Sequence, residues 1–403
     1  VNFFSTKFHG RTWFDRCHVH KSASFRETKF CWRNKRTDDS HVLVSFDRAH
    51  LKNTSFQGVT FHATSFNKSE LSEIHFEECE ILGNTFFESA KISKATFYET
   101  KFEKLASFRR AQFGGYVSFI GSTFDDNADF SGAVLDEHSE LVIQESTFSA
   151  DVDFSSSIIS GFLAFEGRPD NLLFTRSASR LDLRYAKIPV PERVSFHSAR
   201  LRPSWFLNTD PKKFVFTACD WSEMDVGDIL VERELESLKA YNVSNPHKIL
   251  TKIGWQLADN FEESKSFVEA SRFRTLANES KRREEWRGFK IPSLHWWYFL
   301  SSRYGESPGQ AFLVLAFILI LFAIYYYLAL FLVCPSTSSL GCTTRTLSWW
   351  EAFHHSLMTG ALQDVKNRAT ITYQQDFMVL LEKILVPVQA ALFALAVRRR
   401  FMR

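Results

Sequence analysis

The residues best able to do chemistry sit in or between two apolar runs near the end of the chain. The second run, Phe377–Val397, holds Glu382 and Lys383 side by side. A lipid-facing charge there costs roughly 3 kcal/mol. Both should therefore face the bundle interior, a short re-entrant helix or a neighbouring subunit, as an ion pair or on a permeation path. Between the runs lie Met358, Thr359, Gly360, Ala361, Leu362, Gln363 and Asp364, with Lys366 and Arg368 just beyond. Small residues beside Leu362 suit a wide or hydrophobic constriction with charges at its outer mouth. One acid and two bases do not decide between cations and anions. His354 and His355 suit a metal or a titration near neutral pH. Adjacent helix positions diverge, so the alternative is a satisfied interface histidine. Cys334 and Cys342 form either a disulfide or two free thiols. Cys17, His18, His20 and Cys31 have a zinc-like composition, but their spacing matches no standard finger, and Cys also serves as a small filler. No phosphate-binding Gly loop, Ser-His-Asp set or well-placed carboxylate pair is present. No enzyme, cofactor or resident metal is expected.

These residues need a membrane scaffold to position them. Ala311–Val333 carries no charge, and about 20 such residues cross a bilayer. Tyr325, Tyr326 and Tyr327 lie toward one interface of that span. Phe377–Val397 is a second span, weakened by Glu382, Lys383, Pro387 and Gln389. Basic residues flank the outer ends: Lys281, Arg282, Arg283, Arg287, Lys290 and Arg303 before the first span, Arg398, Arg399, Arg400 and Arg403 after the second. Lys281–Arg283 reads as a juxtamembrane basic cluster or a solvated helix face. The loop 334–376 carries only Arg345, Lys366 and Arg368 as basic residues. The positive-inside bias predicts a multi-pass inner-membrane protein with both termini cytoplasmic. Inside the loop, Ser348 and Glu351 make a capping box. The segment 348–359 is too short to span and too apolar for an ordinary exterior loop. It is expected to be a re-entrant helix, because buried backbone must satisfy its own polar groups.

The first half of the chain follows a different rule. The 403 residues contain 42 Phe against 10 Tyr and 10 Trp. Phe46, Leu51, Phe56, Phe61, Phe66, Leu71, Phe76, Ile81 and Phe86 recur at every fifth position. The rhythm slips and resumes at Ile92, Phe97 and Phe102, at Phe108 and Phe113, at Phe119 and Phe124, and at Phe130 and Leu135. Phe3, Phe8 and Trp13, then Phe25 and Phe30, echo it upstream; Phe148, Phe154, Phe196, Leu201 and Phe206 do so downstream. A small residue usually stands two positions earlier: Ala49, Thr54, Thr64, Ser69, Cys79, Ala90, Ala95, Thr100. This period fits neither a helix nor a strand. It fits a square coil whose five-residue sides point the large residue inward. Residues 1–220 would give about eleven coils and a rod ~50 Å long at ~4.8 Å per coil. Charge totals 49 − 46 = +3, which excludes a strongly basic nucleic-acid binder and an acidic nucleic-acid mimic. From Trp221 helical periodicity takes over: Ile229, Leu230, Leu235 and Leu238 first, then Leu257, Phe261, Phe267, Phe273 and Leu276. Asn245-Pro246 breaks the first segment, and a second break is expected near Lys265.

The small-x-Phe/Leu-x-x rhythm resembles the pentapeptide-repeat family, which implies a right-handed quadrilateral β-helix over 1–220. Trp255–Trp286 resembles the helical hairpin of a bacterial group of channel-like pentapeptide-repeat proteins, which implies a helical linker over 221–303. Ala352, Ser356 and Thr359, with Trp349 and Trp350 before them, resemble the pore helix of the potassium-channel superfamily. That implies a two-helix transmembrane pore domain over 304–403, with spans 311–333 and 377–397. After Thr359 the family's Gly-x-Gly filter is absent, so potassium selectivity is not expected. The resemblance implies a tetrameric ion-channel subunit in contact with membrane lipids, its rod regulating the pore or docking a cytoplasmic protein, without nucleic acid. A rival expectation is a non-conducting membrane-anchored scaffold. The permeant ion, gating stimulus and partner are not written in these residues. Position 1 is Val, which leaves the true start open.

Overall fold

The computed structural model describes residues 1–31, 42–175, 179–221, 227–286, 294–328, 331–333, 343–345, 347–362 and 373–401. They form two compact units, 1–260 and 261–403.

The first unit is a β-solenoid of about 9 turns. Among the described residues its strands form three parallel sheets of seven, twelve and eight strands. Register states the coil length. Glu70 pairs with His50 and with Lys91, so successive coils need 20 or 21 residues. The later step from Leu163 to Val194 takes 31. Such long coils explain why there are fewer turns than the eleven expected. Inside, phenyl rings stack in register. The column Phe14, Phe46, Phe66, Phe87, Phe108, Phe130, Phe154 has centroid spacings of 4.6–4.9 Å. A second column, Phe25, Phe56, Phe76, Phe97, Phe119, meets it edge-on, as Phe76 against Phe87 at 87°. Stacking along the axis and T-contacts across it both suit the ring quadrupole. A Tyr hydroxyl in this column would be buried without a partner, which accounts for the excess of Phe.

Two details of the five-residue rhythm are corrected. Phe87 is fully buried, whereas Phe86 pairs with Ser65 and is partly exposed. The slip therefore falls before Phe87, at an extra residue by Gly83. A Cβ on Gly83 would lie 2.6 Å from the Ala63 nitrogen, so only glycine lets the corner pass this close. Trp13 is 68% exposed, and its neighbour Phe14 carries the column. The small partners Ala49, Thr54, Thr64, Ser69, Cys79, Ala90, Ala95 and Thr100 are all buried. Outside, opposite charges meet from coil to coil: Lys91 pairs with Glu70 and Lys94 with Glu73, and His50 Nδ1 lies 2.9 Å from Glu70.

Helix α1 (Gly227–Ala240) and α2 (Pro246–Glu263) close the last coils. Glu234 on α1 is buried and accepts the Ser204 amide at 2.8 Å. Asn260 on α2 donates to the Pro211 and Phe214 carbonyls at 2.9 and 2.8 Å. Such caps satisfy the backbone that a repeat array exposes at its end. Pro246 opens α2, where its missing N–H has no helical partner to lose. Lys265, at φ +61°, is the break before α3 (Phe267–Trp286).

The second unit continues with α4 (Leu294–Ser302), α5 (Pro308–Leu328), α6 (Trp349–Gly360) and α7 (Tyr373–Phe401). Within them, Pro308–Leu328 and Phe377–Arg399 are long and apolar enough to cross a membrane. The described part of α5 runs to Leu328, while the expected span continues to Val333. Phe331–Val333 instead pairs antiparallel with Thr343–Arg345. The 21 described residues of α5 already reach ~31 Å, about the thickness of a bilayer core.

Candidate functional site

The expected re-entrant segment is a helix. Ser348 caps α6 by accepting from the Glu351 amide, while the Glu351 carboxylate accepts from Ser348 N. One face of α6 is buried: Ala352, Ser356, Thr359 and Gly360. These lie at i, i+4, i+7 and i+8, one stripe of a helix. Trp349 and Trp350 are on the exposed side, Trp350 at 76%. The stripe meets both apolar helices. Ala352 joins a cluster with Phe322 and Tyr326 of α5, flanked by Met378, Val379 and Leu381 of α7. Gly360 approaches Val386 so closely that an added Cβ would lie 2.8 Å from its Cγ1.

A buried carboxyl group stands at the centre. Glu382 on α7 is fully buried; Oε2 accepts from the Tyr326 hydroxyl at 2.7 Å, and Oε1 accepts from Ser356 Oγ. Ser356 Oγ also faces the Leu319 carbonyl at 3.2 Å. Three helices thus share one polar node. Glu382 turns toward the short helix, and Lys383 beside it is half-buried. His355 packs against Tyr326, centroids 4.6 Å apart, with Nδ1 3.3 Å from Thr359 Oγ1. His354 is exposed. The two histidines diverge.

The helix ends at Gly360. The Ala361 amide bonds the Leu357 carbonyl, and Leu362 leaves in the left-handed region at φ +60°, 60% exposed. Met358 is half-buried. Gln363, Asp364, Lys366, Arg368, Cys334 and Cys342 lie outside the described residues. Val333 pairs with Thr343, and these are the chain neighbours of the two cysteines. Near the N-terminus, His18 stacks on His50 at 4.5 Å, and Cys17 is a half-buried free thiol. Among the described residues no group of three His, Cys, Asp or Glu side chains gathers to hold a metal.

A second polar cluster, not anticipated in the sequence, ties α3 to the ends of the apolar helices. Glu279 accepts from Arg282 and from Arg283 Nε at 2.9 Å, and from the Tyr304 hydroxyl at 3.1 Å. Burial pushes its carboxyl up, but the two arginines outweigh this and hold it below the ordinary value. Burial, then Glu279, raises the Tyr304 hydroxyl. Two residues of the expected basic cluster are thus paired within the protein, not free. Their i+3 and i+4 spacing from Glu279 is the signal that could have identified the pairing. Next to it, Glu306 accepts from Ser271 Oγ at 2.5 Å and from Arg399 Nη1 at 3.1 Å, and Arg399 also reaches the Tyr304 carbonyl at 3.0 Å. Higher on α7, Gln389 donates to the Ser301 and Ala311 carbonyls at 2.8 and 2.9 Å.

Family models for pentapeptide repeats match residues 45–80 (8 copies) and 87–134 (9 copies). A search of curated protein sequences finds no match. Among solved structures, the chain is similar to HetL, a pentapeptide-repeat protein involved in heterocyst differentiation regulation in the cyanobacterium Nostoc. The identity is 11%, with 53% of this chain and 85% of HetL covered and a TM-score of 0.24. It is also similar to a trypsin-treated form of QnrB1, a plasmid-mediated fluoroquinolone resistance protein. Here the identity is 14%, with 55% and 96% covered and a TM-score of 0.26. The repeat models fall on the coils whose rings stack, so the chain carries pentapeptide repeats within a β-solenoid that is followed by helices, two of them long and apolar enough to cross a membrane.

Proposed function

We propose that the chain is the subunit of a homo-oligomeric membrane ion channel, a tetramer, with both termini cytoplasmic in an inner membrane. The observation that carries this reading is α6: a capped helix of 12 residues, too short to span, packed between two helices long enough to do so. Irregular backbone at membrane depth is tolerated where it is buried in protein or lines water. One hairpin encloses no pore, so copies must surround an axis. Phe377, Leu380, Ile384 and Val388 form an exposed stripe on α7, spaced for packing against another helix or lining a conduit. The β-solenoid, a right-handed four-sided coil in this reading, serves as a regulatory or docking domain. Its mixed surface charge favours a protein partner over nucleic acid.

The segment after Thr359 has no Gly-x-Gly, so the constriction is assigned to Met358–Asp364 without a potassium-type carbonyl cage. The same departure favours the rival reading, a non-conducting membrane-anchored scaffold. Leu362→Lys separates the two. In a channel it changes unitary conductance or the cation-to-anion permeability ratio. In a scaffold it leaves partner capture by the solenoid unchanged, and no current exists to alter.

A further inference from the structure

Hydrogen counting at the three-helix node carries one step more. A serine hydroxyl has a single proton. Ser356 Oγ faces two acceptors, Glu382 Oε1 and the Leu319 carbonyl. If Glu382 is ionised, Ser356 can serve only one of them, and the other oxygen pair has no hydrogen between its atoms. If Oε1 carries a proton, each contact has one: Oε1–H donates to Ser356 Oγ, Ser356 donates to Leu319 O, and Tyr326 donates to Oε2. Surroundings favour the second arrangement. The titratable groups nearest the node are Tyr325 and Tyr326 on α5, His355 on α6, and Lys383 on α7 itself. Lys383 is the next residue in the helix and points about 100° away. Among the described residues no cation bonds to the Glu382 carboxyl. A bare carboxylate held between apolar helices would be costly.

We propose that Glu382 is an intramembrane proton-binding site, whose neutral acid pins α6 to α5 and α7 and whose deprotonation loosens that grip. On deprotonation the proton leaves to solvent. Ser356 then turns to the carboxylate, and the Leu319 carbonyl loses its cross-helix donor. The pin is intact at low pH and weakens as pH rises. The proposal rests on α5–α6–α7 being a membrane hairpin, but not on conduction.

Infrared spectroscopy of the full-length protein in phosphatidylcholine nanodiscs tests it directly. The expected result is a protonated-carboxyl C=O band at neutral pH that moves on 13C-glutamate labelling and is missing in Glu382→Gln. The glutamine amide copies the neutral acid, donating to Ser356 and accepting from Tyr326. Should that variant not assemble, Tyr326→Phe removes the hydrogen bond to the carbonyl oxygen and shifts the same band upward. A second readout is amide exchange in α6, which should quicken on alkalinisation in the parent and stay slow in Glu382→Gln. A neutral-pH spectrum with no such band, or with one untouched by both substitutions, overturns the proposal. Currents without the band would leave the channel reading standing. The band without currents would leave the proton site standing.

Discussion

Replacing Phe87 by Ala removes one ring from a column stacked at 4.8 Å on both sides. The expected loss is about 3–5 kcal/mol, the ordinary range for a fully buried Phe. Phe86→Ala, one residue away on the outer side of the sheet, should cost less than about 1 kcal/mol. Chemical denaturation of the full chain, followed by β-sheet circular dichroism, compares the two; equal losses would refute the corrected inward register. Glu279 makes a prediction about pH. Its folded value is depressed, so its contribution is present above the unfolded value of about 4.5 and is lost as pH falls through the lower, folded one. Melting of the parent in detergent should therefore drop on acidification below pH 5. In Glu279→Gln, Tm should be lower at neutral pH, and the acid-side drop should be shallower. A parallel shift with an unchanged slope would show that Glu279 is not the titrating group.

At the scale of elements, α6 depends on its cap and on one close approach. Ser348→Ala removes the hydroxyl that accepts the Glu351 amide and should cost about 1 kcal/mol. Gly360→Ala is expected to do more, because the new methyl meets the Val386 side chain within van der Waals distance. Faster amide exchange in α6 should follow, with partial recovery in the Gly360→Ala, Val386→Ala pair. A pair no better than the single variant would mean the contact does not seat the helix. The cap was legible because Ser and Glu at a fixed spacing before an apolar run act locally. Ala352, Ser356 and Thr359 stood out only by resemblance to a pore helix, and their inward face is visible only in the packed structure. Local patterns do not reveal who meets whom across the chain. Gly360 against Val386, Tyr326 with Glu382, and Arg399 with Glu306 join residues far apart in sequence, and nothing near any of them indicates its partner. In the solenoid the five-residue pattern gave away the interior, because each side of the coil repeats one environment. It misplaced the slip at Phe86 because two adjacent phenylalanines satisfy the pattern equally, and only the close pass of Gly83 over Ala63 decides between them.

On the scale of the whole molecule, the proposed function requires that the β-solenoid and the two apolar helices belong to one device. The hairpin's apolar outer surface, Phe312, Leu313, Phe317, Leu321 and Leu328 on α5, suits lipid in place of water. Its polar node, capped short helix and exposed α7 stripe suit a subunit of a ring. Recording from the purified full-length oligomer in planar bilayers under asymmetric KCl tests the central claim most directly. The account predicts discrete unitary currents that reverse away from zero voltage and change in size or selectivity with Leu362→Lys. Sustained silence from an oligomer whose mass shows it to be intact would contradict it and leave a membrane-anchored solenoid scaffold.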